Sequence, residues 1–362
     1  MKYIDEYRDK DLIAKLANQI EKSVRGGYNF MEVCGGHTAA IHRFGIPSLL
    51  PDNIKLISGP GCPVCVTETD FIDKAIAYSE REDVIITTFG DLIRVPGSVT
   101  SLEKKKAAGA DIRIVFSGLD ALEIAKLNPE KKIIFLGIGF ETTAPGTAAT
   151  IGKAEQENIG NFFLLSAHKI MPPAMEAIVR EKVSLNGFIC PGHVATITGS
   201  SIFSFIPEKY NIGCVVAGFE PTDILQSVLM LIRQVNLDAP KVEIQYKRAV
   251  TMNGNTLAQS FMKDVFESCD ASWRGFGTIR SSGLKLRKDY ARFDAENAMP
   301  VYISHHEDNN MCICGEILRG LKTPEECPLF ADICNPENPV GACMVSSEGS
   351  CNTWYKYRLT DE

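Results

Sequence analysis

The chain has no apolar run approaching the roughly 20 residues that a membrane-spanning helix needs, so no membrane span is expected among its 362 residues. Nor does it have a basic excess: 38 Lys and Arg stand against 45 Asp and Glu, a formal net charge of −7. That balance argues against nucleic acid as a partner. The one small basic run, Lys104-Lys105-Lys106, reads as a solvated helix face. No P-loop or dinucleotide fingerprint occurs, which speaks weakly against nucleotides. Residues 1–16 are amphipathic and mixed in charge, without the apolar centre of a signal peptide, so the cytoplasm is the expected location. Disulfides are scarce there, and twelve cysteines are too many to read as a disulfide framework. Hyperthermophile proteins are the standing exception. Metal or redox chemistry is the first expectation.

What is present is ordinary globular composition, 45% hydrophobic and 23% charged, in a chain long enough for two or three domains. Residues 5–25 carry Ile13, Leu16, Ala17 and Ile20 at helical spacing. Short apolar strands follow at 29–33, 54–58, 84–88, 112–116, 133–138, 161–166, 187–190 and 214–217, alternating with helical patterns such as 71–82 and 119–127. That alternation predicts an α/β fold with parallel sheets. The two sets of four strands look alike. Gly35-Gly36-His37-Thr38-Ala39 is echoed by Gly139-Phe140-Glu141-Thr142-Thr143-Ala144, and 94–98 and 116–119 are echoed by 196–200 and 216–219. The expectation is a duplication: one α/β domain at 28–130, a similar one at 131–245, and a cleft between them. Residues 1–27 with 246–362 would form a smaller cysteine-rich third domain. Its stretch after 250 reads as a Gly- and Arg-rich connector, and beyond 305 the chain is loop-like.

The chemistry-bearing residues fall at strand ends, where open α/β sheets place their ligands. In the tail, Cys327, Cys334, Cys343 and Cys351 are separated by six, eight and seven residues, with Cys312 and Cys314 just before them. No close Cys-x-x-Cys knuckle of the structural-zinc kind occurs there. The wider spacing suits a [4Fe–4S] cluster, which would also order a loop-rich segment; Cys312 or Cys314 could replace one member, and zinc or structural thiols stay open. Cys62-Pro63-Val64-Cys65 lies between a strand and a helix. It reads as a redox pair, with the Cys65 thiolate stabilised near a helix N-terminus; half a zinc site or two buried thiols are the alternatives. Cys34 with His37, flanked by glycines, reads as a ligand or nucleophile, with a small buried apolar cysteine as the alternative. The loop with Glu141, Thr142 and Thr143, and the loop Cys190-Pro191-Gly192-His193, would line a cleft. His42 and His168 read as packing or surface residues, and His305-His306 as an exposed loop.

Together with Trp273-Arg274-Gly275 and Gly341–Gly349, these motifs run in order over nearly the whole chain and resemble the hydrogenase formation protein family HypD. The resemblance implies a scaffold for assembling the Fe(CN)2CO unit of nickel–iron hydrogenases, rather than a conventional turnover enzyme. It implies a small HypC-type chaperone and a HypE-type cyanide donor as partners, with the hydrogenase large subunit served indirectly. It also implies two similar α/β domains and a third holding a [4Fe–4S] cluster. By motif, Cys34 would hold iron bearing cyanide and carbon monoxide, with His37 beside it. Cys62 and Cys65 would be the redox pair, and Glu141, Thr142 and Thr143 the cleft lining. A stand-alone iron–sulfur-linked thiol–disulfide oxidoreductase is the alternative.

Overall fold

The computed structural model describes residues 5–181, 183–303 and 311–358. The pair His305-His306 lies outside them. An N-terminal helix, Lys10–Ser23, is capped by Asp9, whose carboxylate accepts the Leu12 N–H at 2.8 Å. Its apolar stripe, with Ile20 fully buried, packs on the long helix Pro221–Asn236.

All eight expected strands form. They are β1 Tyr28–Glu32, β2 Ile54–Ser58, β3 Val84–Thr88, β4 Ile112–Ile114, β5 Lys132–Gly139, β6 Phe162–His168, β7 Gly187–Pro191 and β8 Gly213–Ala217. A ninth, β9 Val242–Ile244, adds an edge. These nine make two wholly parallel sheets, ordered β2-β1-β7-β8-β9 and β4-β3-β5-β6. The sheets do not divide the chain at residue 130. The first contains β1 and β2 and then, after the whole of the second sheet has intervened, β7 to β9. The expected halves at 28–130 and 131–245 therefore interleave. The chain leaves the first sheet after β2 and rejoins it at β7, and each sheet reverses direction once, β1 lying between β2 and β7, and β3 between β4 and β5. Loops that leave the strands beside such a reversal splay apart and open a crevice at the carboxyl ends.

One face of each sheet is covered by its own helices. The other faces meet in a shared core that includes Met31, Val33, Ile86, Leu136, Phe188 and Val216, and also Leu318, Leu329 and Met344 of the tail. Each such side chain contributes roughly 1.5–3 kcal/mol on burial. The stretch expected as a connector contains an antiparallel hairpin, β10 Phe266–Trp273 and β11 Gly277–Leu286, with a bulge between Cys269 and Ala271. Along the tail run only short helical pieces, Cys314–Leu318, Pro324–Glu326, Ala342–Val345 and Ser350–Arg358, separated by loops. Among the described residues no helix is long and apolar enough to cross a membrane.

Candidate functional site

At the end of β1 the chain turns directly into the helix Gly35–Arg43, with Cys34 in the N-cap position. Glu32, only 1% exposed, holds this turn: its carboxylate accepts the Cys34 N–H at 3.0 Å and the Thr38 hydroxyl. The Gly35 N–H donates to the Gly61 carbonyl at 2.9 Å, which lays the loop after β2 against Cys34. A side chain at Gly61 would run into the Cys34 backbone, so this contact requires glycine. Gly35 and Gly36 are needed for packing of another kind, since Glu348 and Phe219 press against them.

The Cys34 thiol is buried and its pKa pushed up, chiefly by desolvation and then by the carboxylates of Glu348 and Glu32. Backbone N–H groups of Gly36 and His37 oppose that shift. Glu32 itself is raised to about 7, burial being the main cause. Burial among carboxylates thus keeps the free Cys34 sulfur in its protonated form.

His37 is fully buried. Its Nε2 sits 3.2 Å and 3.0 Å from the carbonyls of Ala217 and Gly218, so Nε2 carries the proton and Nδ1 is a buried lone pair without a partner. Burial lowers its pKa to about 4, which keeps the ring neutral. Phe219 is stacked between His37 at 4.5 Å and His193 at 3.9 Å.

Beside this stack lies a cavity of about 340 Å³ lined by Cys34, Gly61, Phe140, Thr142, His193 and Glu348, among others. Thr142 thus reaches the cavity, but its neighbours do not share that role. Glu141 is 3% exposed and its Oε1 accepts the Met171 N–H at 2.9 Å, at the start of the helix Met171–Arg180. Its Oε2 has no partner, and burial raises its pKa to about 7. The Thr143 hydroxyl turns back to the Phe140 carbonyl at 3.3 Å. Glu141 and Thr143 shape the loop that aims Thr142.

Cys62 and Cys65 are both buried, with the Cys65 N–H donating to the Cys62 sulfur at 3.3 Å. The expected helix stabilisation of the Cys65 thiolate does not arise. A separate turn covers residues 62–67, the helix begins only at Thr69, and burial raises the Cys65 pKa strongly. The next contributions to that shift come from Cys343 and Cys62, because the loop thiols and the tail thiols lie near one another. Cys343 is the hub. Its sulfur is 3.0 Å from that of Cys314, and Cys351 and Cys65 lie near enough to bear on its titration. Cys314 in turn contacts Cys312, and Cys334 feels both Cys312 and Cys327. All six tail thiols therefore share one neighbourhood, and Cys34 and the Cys62–Cys65 loop adjoin it.

Among the described residues no three His, Cys, Asp or Glu side chains are gathered as a single-ion site, and every described cysteine is free. The donor set is all sulfur and mostly buried, which suits a soft cluster better than a hard cation. His168 packs between Thr147, at 3.0 Å, and the Gly139 carbonyl; His42 lies on Trp354. Glu32, Glu348 and Phe219 were not legible as site residues. A glutamate ending an apolar strand at position 32 was the available signal for the first.

Two parallel sheets whose strand ends hold a buried thiol, a dithiol loop and a converging thiol tail define a cysteine-rich protein of the α/β class. Comparison with known proteins gives the family. The HypD model, described as "Hydrogenase formation hypA family", matches residues 11–358. The chain is 47% identical to hydrogenase maturation factor HypD2 of Bradyrhizobium diazoefficiens, over 99% of this chain and 97% of that protein. It is 45% identical to HypD of Cupriavidus necator, over 99% and 97%, and 43% identical to HypD of Escherichia coli, over 99% and 98%. The chain belongs to the HypD family of hydrogenase maturation factors.

Proposed function

We propose that this protein is the scaffold on which the Fe(CN)2CO unit of a nickel–iron hydrogenase is assembled, working in the cytoplasm with a small HypC-type chaperone and a HypE-type cyanide donor. The observation that carries the reading is the gathering of the loop dithiol and the tail thiols next to the Cys34 cavity, with the 274–275 turn packed against both the 66–67 backbone and Gly315. Cys34 is the anchor for the iron cargo, whose cyanide and carbon monoxide ligands make it soft and thiolate-seeking. The neutral His37 ring supplies a lone pair beside it. Thr142 and His193 line the space that the cargo's ligands would occupy.

The tail holds a [4Fe–4S] cluster, which when bound supplies single electrons. Its donors are Cys327, Cys334, Cys343 and Cys351; Cys314, whose sulfur lies 3.0 Å from that of Cys343, or Cys312 could replace one of them. Cys62 and Cys65 store a pair of electrons: closing their disulfide releases two protons and two electrons, and reduction restores both thiols.

Iron and sulfide analysis of protein purified without oxygen tests this reading. Brown, iron-loaded protein is expected, with the metal lost in Cys327→Ala and Cys334→Ala. Colourless wild-type protein free of iron would overturn it. Infrared bands of cyanide and carbon monoxide should appear on the complex with the small chaperone and vanish in Cys34→Ala.

A further inference from the structure

The Trp273-Arg274-Gly275 turn joins β10 to β11 and has no part in the chemistry described so far. It is nevertheless wedged between the two thiol elements. The Arg274 backbone N–H donates to the Val66 carbonyl at 2.9 Å, and its Nε–H donates to the Thr67 carbonyl at 3.0 Å, immediately after Cys65. On the other side Gly275, at φ +84°, lies so close to Gly315 that a side chain at either position would strike the other's Cα. Gly315 follows Cys314 directly. Arg274, Gly275, Cys312, Cys314 and Gly315 line one cavity of about 360 Å³. Trp273 anchors the turn from below. It is fully buried, with its Nε1–H on the Ser282 hydroxyl at 2.8 Å and its ring stacked on Phe140.

One guanidinium nitrogen, Nη2 of Arg274, is buried and has no hydrogen-bond partner. A buried cation with an unused donor is costly unless an anion completes it. None of the ion pairs found among the described residues involves this side chain. The thiols that share a cavity with it are those of Cys312 and Cys314. Sulfur made anionic, as a thiolate or as part of a negatively charged iron–sulfur assembly, is the complement this donor lacks.

We propose that Arg274 is a positioning residue: it clamps the Cys62–Cys65 loop to the Cys312–Cys314 turn and keeps one N–H in reserve for anionic sulfur at that turn. The clamp accounts for two features at once, the paired backbone contacts to 66 and 67 and the glycine-on-glycine approach at 275 and 315. It also makes the hairpin a brace that fixes how far the loop dithiol stands from the tail.

Two readouts on anaerobically purified protein test the proposal. In R274Q, mass-spectrometric timing of iodoacetamide labelling should show Cys65 reacting about tenfold faster than in wild type, as expected when a charge-assisted hydrogen bond holding a loop is removed. Cys269, half-buried on the hairpin, serves as the unchanged control. The midpoint potential of the protein-bound iron should move to a more negative value, since a nearby cation favours the state with one more electron. R274K, which keeps the charge and loses the fork, should retain most of the potential and still expose Cys65. Unchanged Cys65 labelling in R274Q, or in R274K should R274Q not fold, overturns the clamp. An unchanged potential in a folded R274Q overturns the reserved donor. The potential readout rests on the proposed function, whereas the labelling readout does not, so iron-free protein would sink that function and leave the clamp decidable.

Discussion

Position 61 has room for a hydrogen and nothing larger, because the backbone of Cys34 occupies the space where a side chain would begin. Gly61→Ala must push the loop after β2 away from β1 and break the Gly35–Gly61 hydrogen bond. A loss of about 2–4 kcal/mol in urea unfolding is expected, the range of strained or overpacked core sites. A variant as stable as wild type would show that the two loops are not pressed together. Glu141 gives a pH prediction. Its pKa is raised from 4.5 to about 7 in the fold, so the folded state favours the protonated form. The resulting stability is present below pH 4.5 and is lost as pH rises through 7. Glu141→Gln keeps an acceptor for the Met171 N–H without titrating. It should match wild type near pH 4 and exceed it at pH 8 by on the order of 1–3 kcal/mol. His37 and His168 act with the opposite sign. Both are lowered from 6.5 to about 4 by burial, so their stability is present above pH 6.5 and is lost as pH falls through 4.

The strands β1 to β8 are readable in the sequence because most are compact apolar runs bounded by Gly, Pro, Asn or Asp, the signature of a strand buried on both faces, whereas the edge strands β2 and β4 carry Lys55 and Arg113 and are only partly buried. The hairpin is not. Its strands, with Glu267, Ser268, Asp270 and Ser272 in one and Thr278, Arg280, Ser281 and Ser282 in the other, lack apolar alternation because only Phe266, Trp273 and Leu286 dip into the core among its apolar residues. Tertiary contact overrides local pattern here. The cysteine, glycine and histidine motifs marked the site loops, yet neither the inward turn of Glu141 nor the nearness of Cys65 to Cys343 follows from spacing. Both depend on how distant segments pack. At this scale Trp273→Ala should be among the costliest single changes, about 3–5 kcal/mol for an emptied aromatic site. Backbone amides of 266–286 should then exchange with deuterium faster than those of β5. Equal protection of hairpin and sheet in that variant would mean that the indole does not hold the hairpin down.

For the molecule as a whole, the interleaved sheets matter more than any one contact. A fragment ending at residue 130 carries β1 without β7, its hydrogen-bonded neighbour, and so lacks half of the first sheet's centre. The fragment 28–130 is therefore expected to show no cooperative thermal transition by circular dichroism. A sharp transition would contradict the sheet order. The same interleaving has a temporal side. Cys34 leaves the ribosome early, but Pro191–His193, Ala217–Phe219 and finally Glu348, which complete its surroundings, emerge progressively later. A nascent chain thus displays the Cys34 sulfur naked until residue 348 has been made. Arrival of the tail, rather than synthesis of the thiol, is the moment at which Cys34 acquires its buried surroundings.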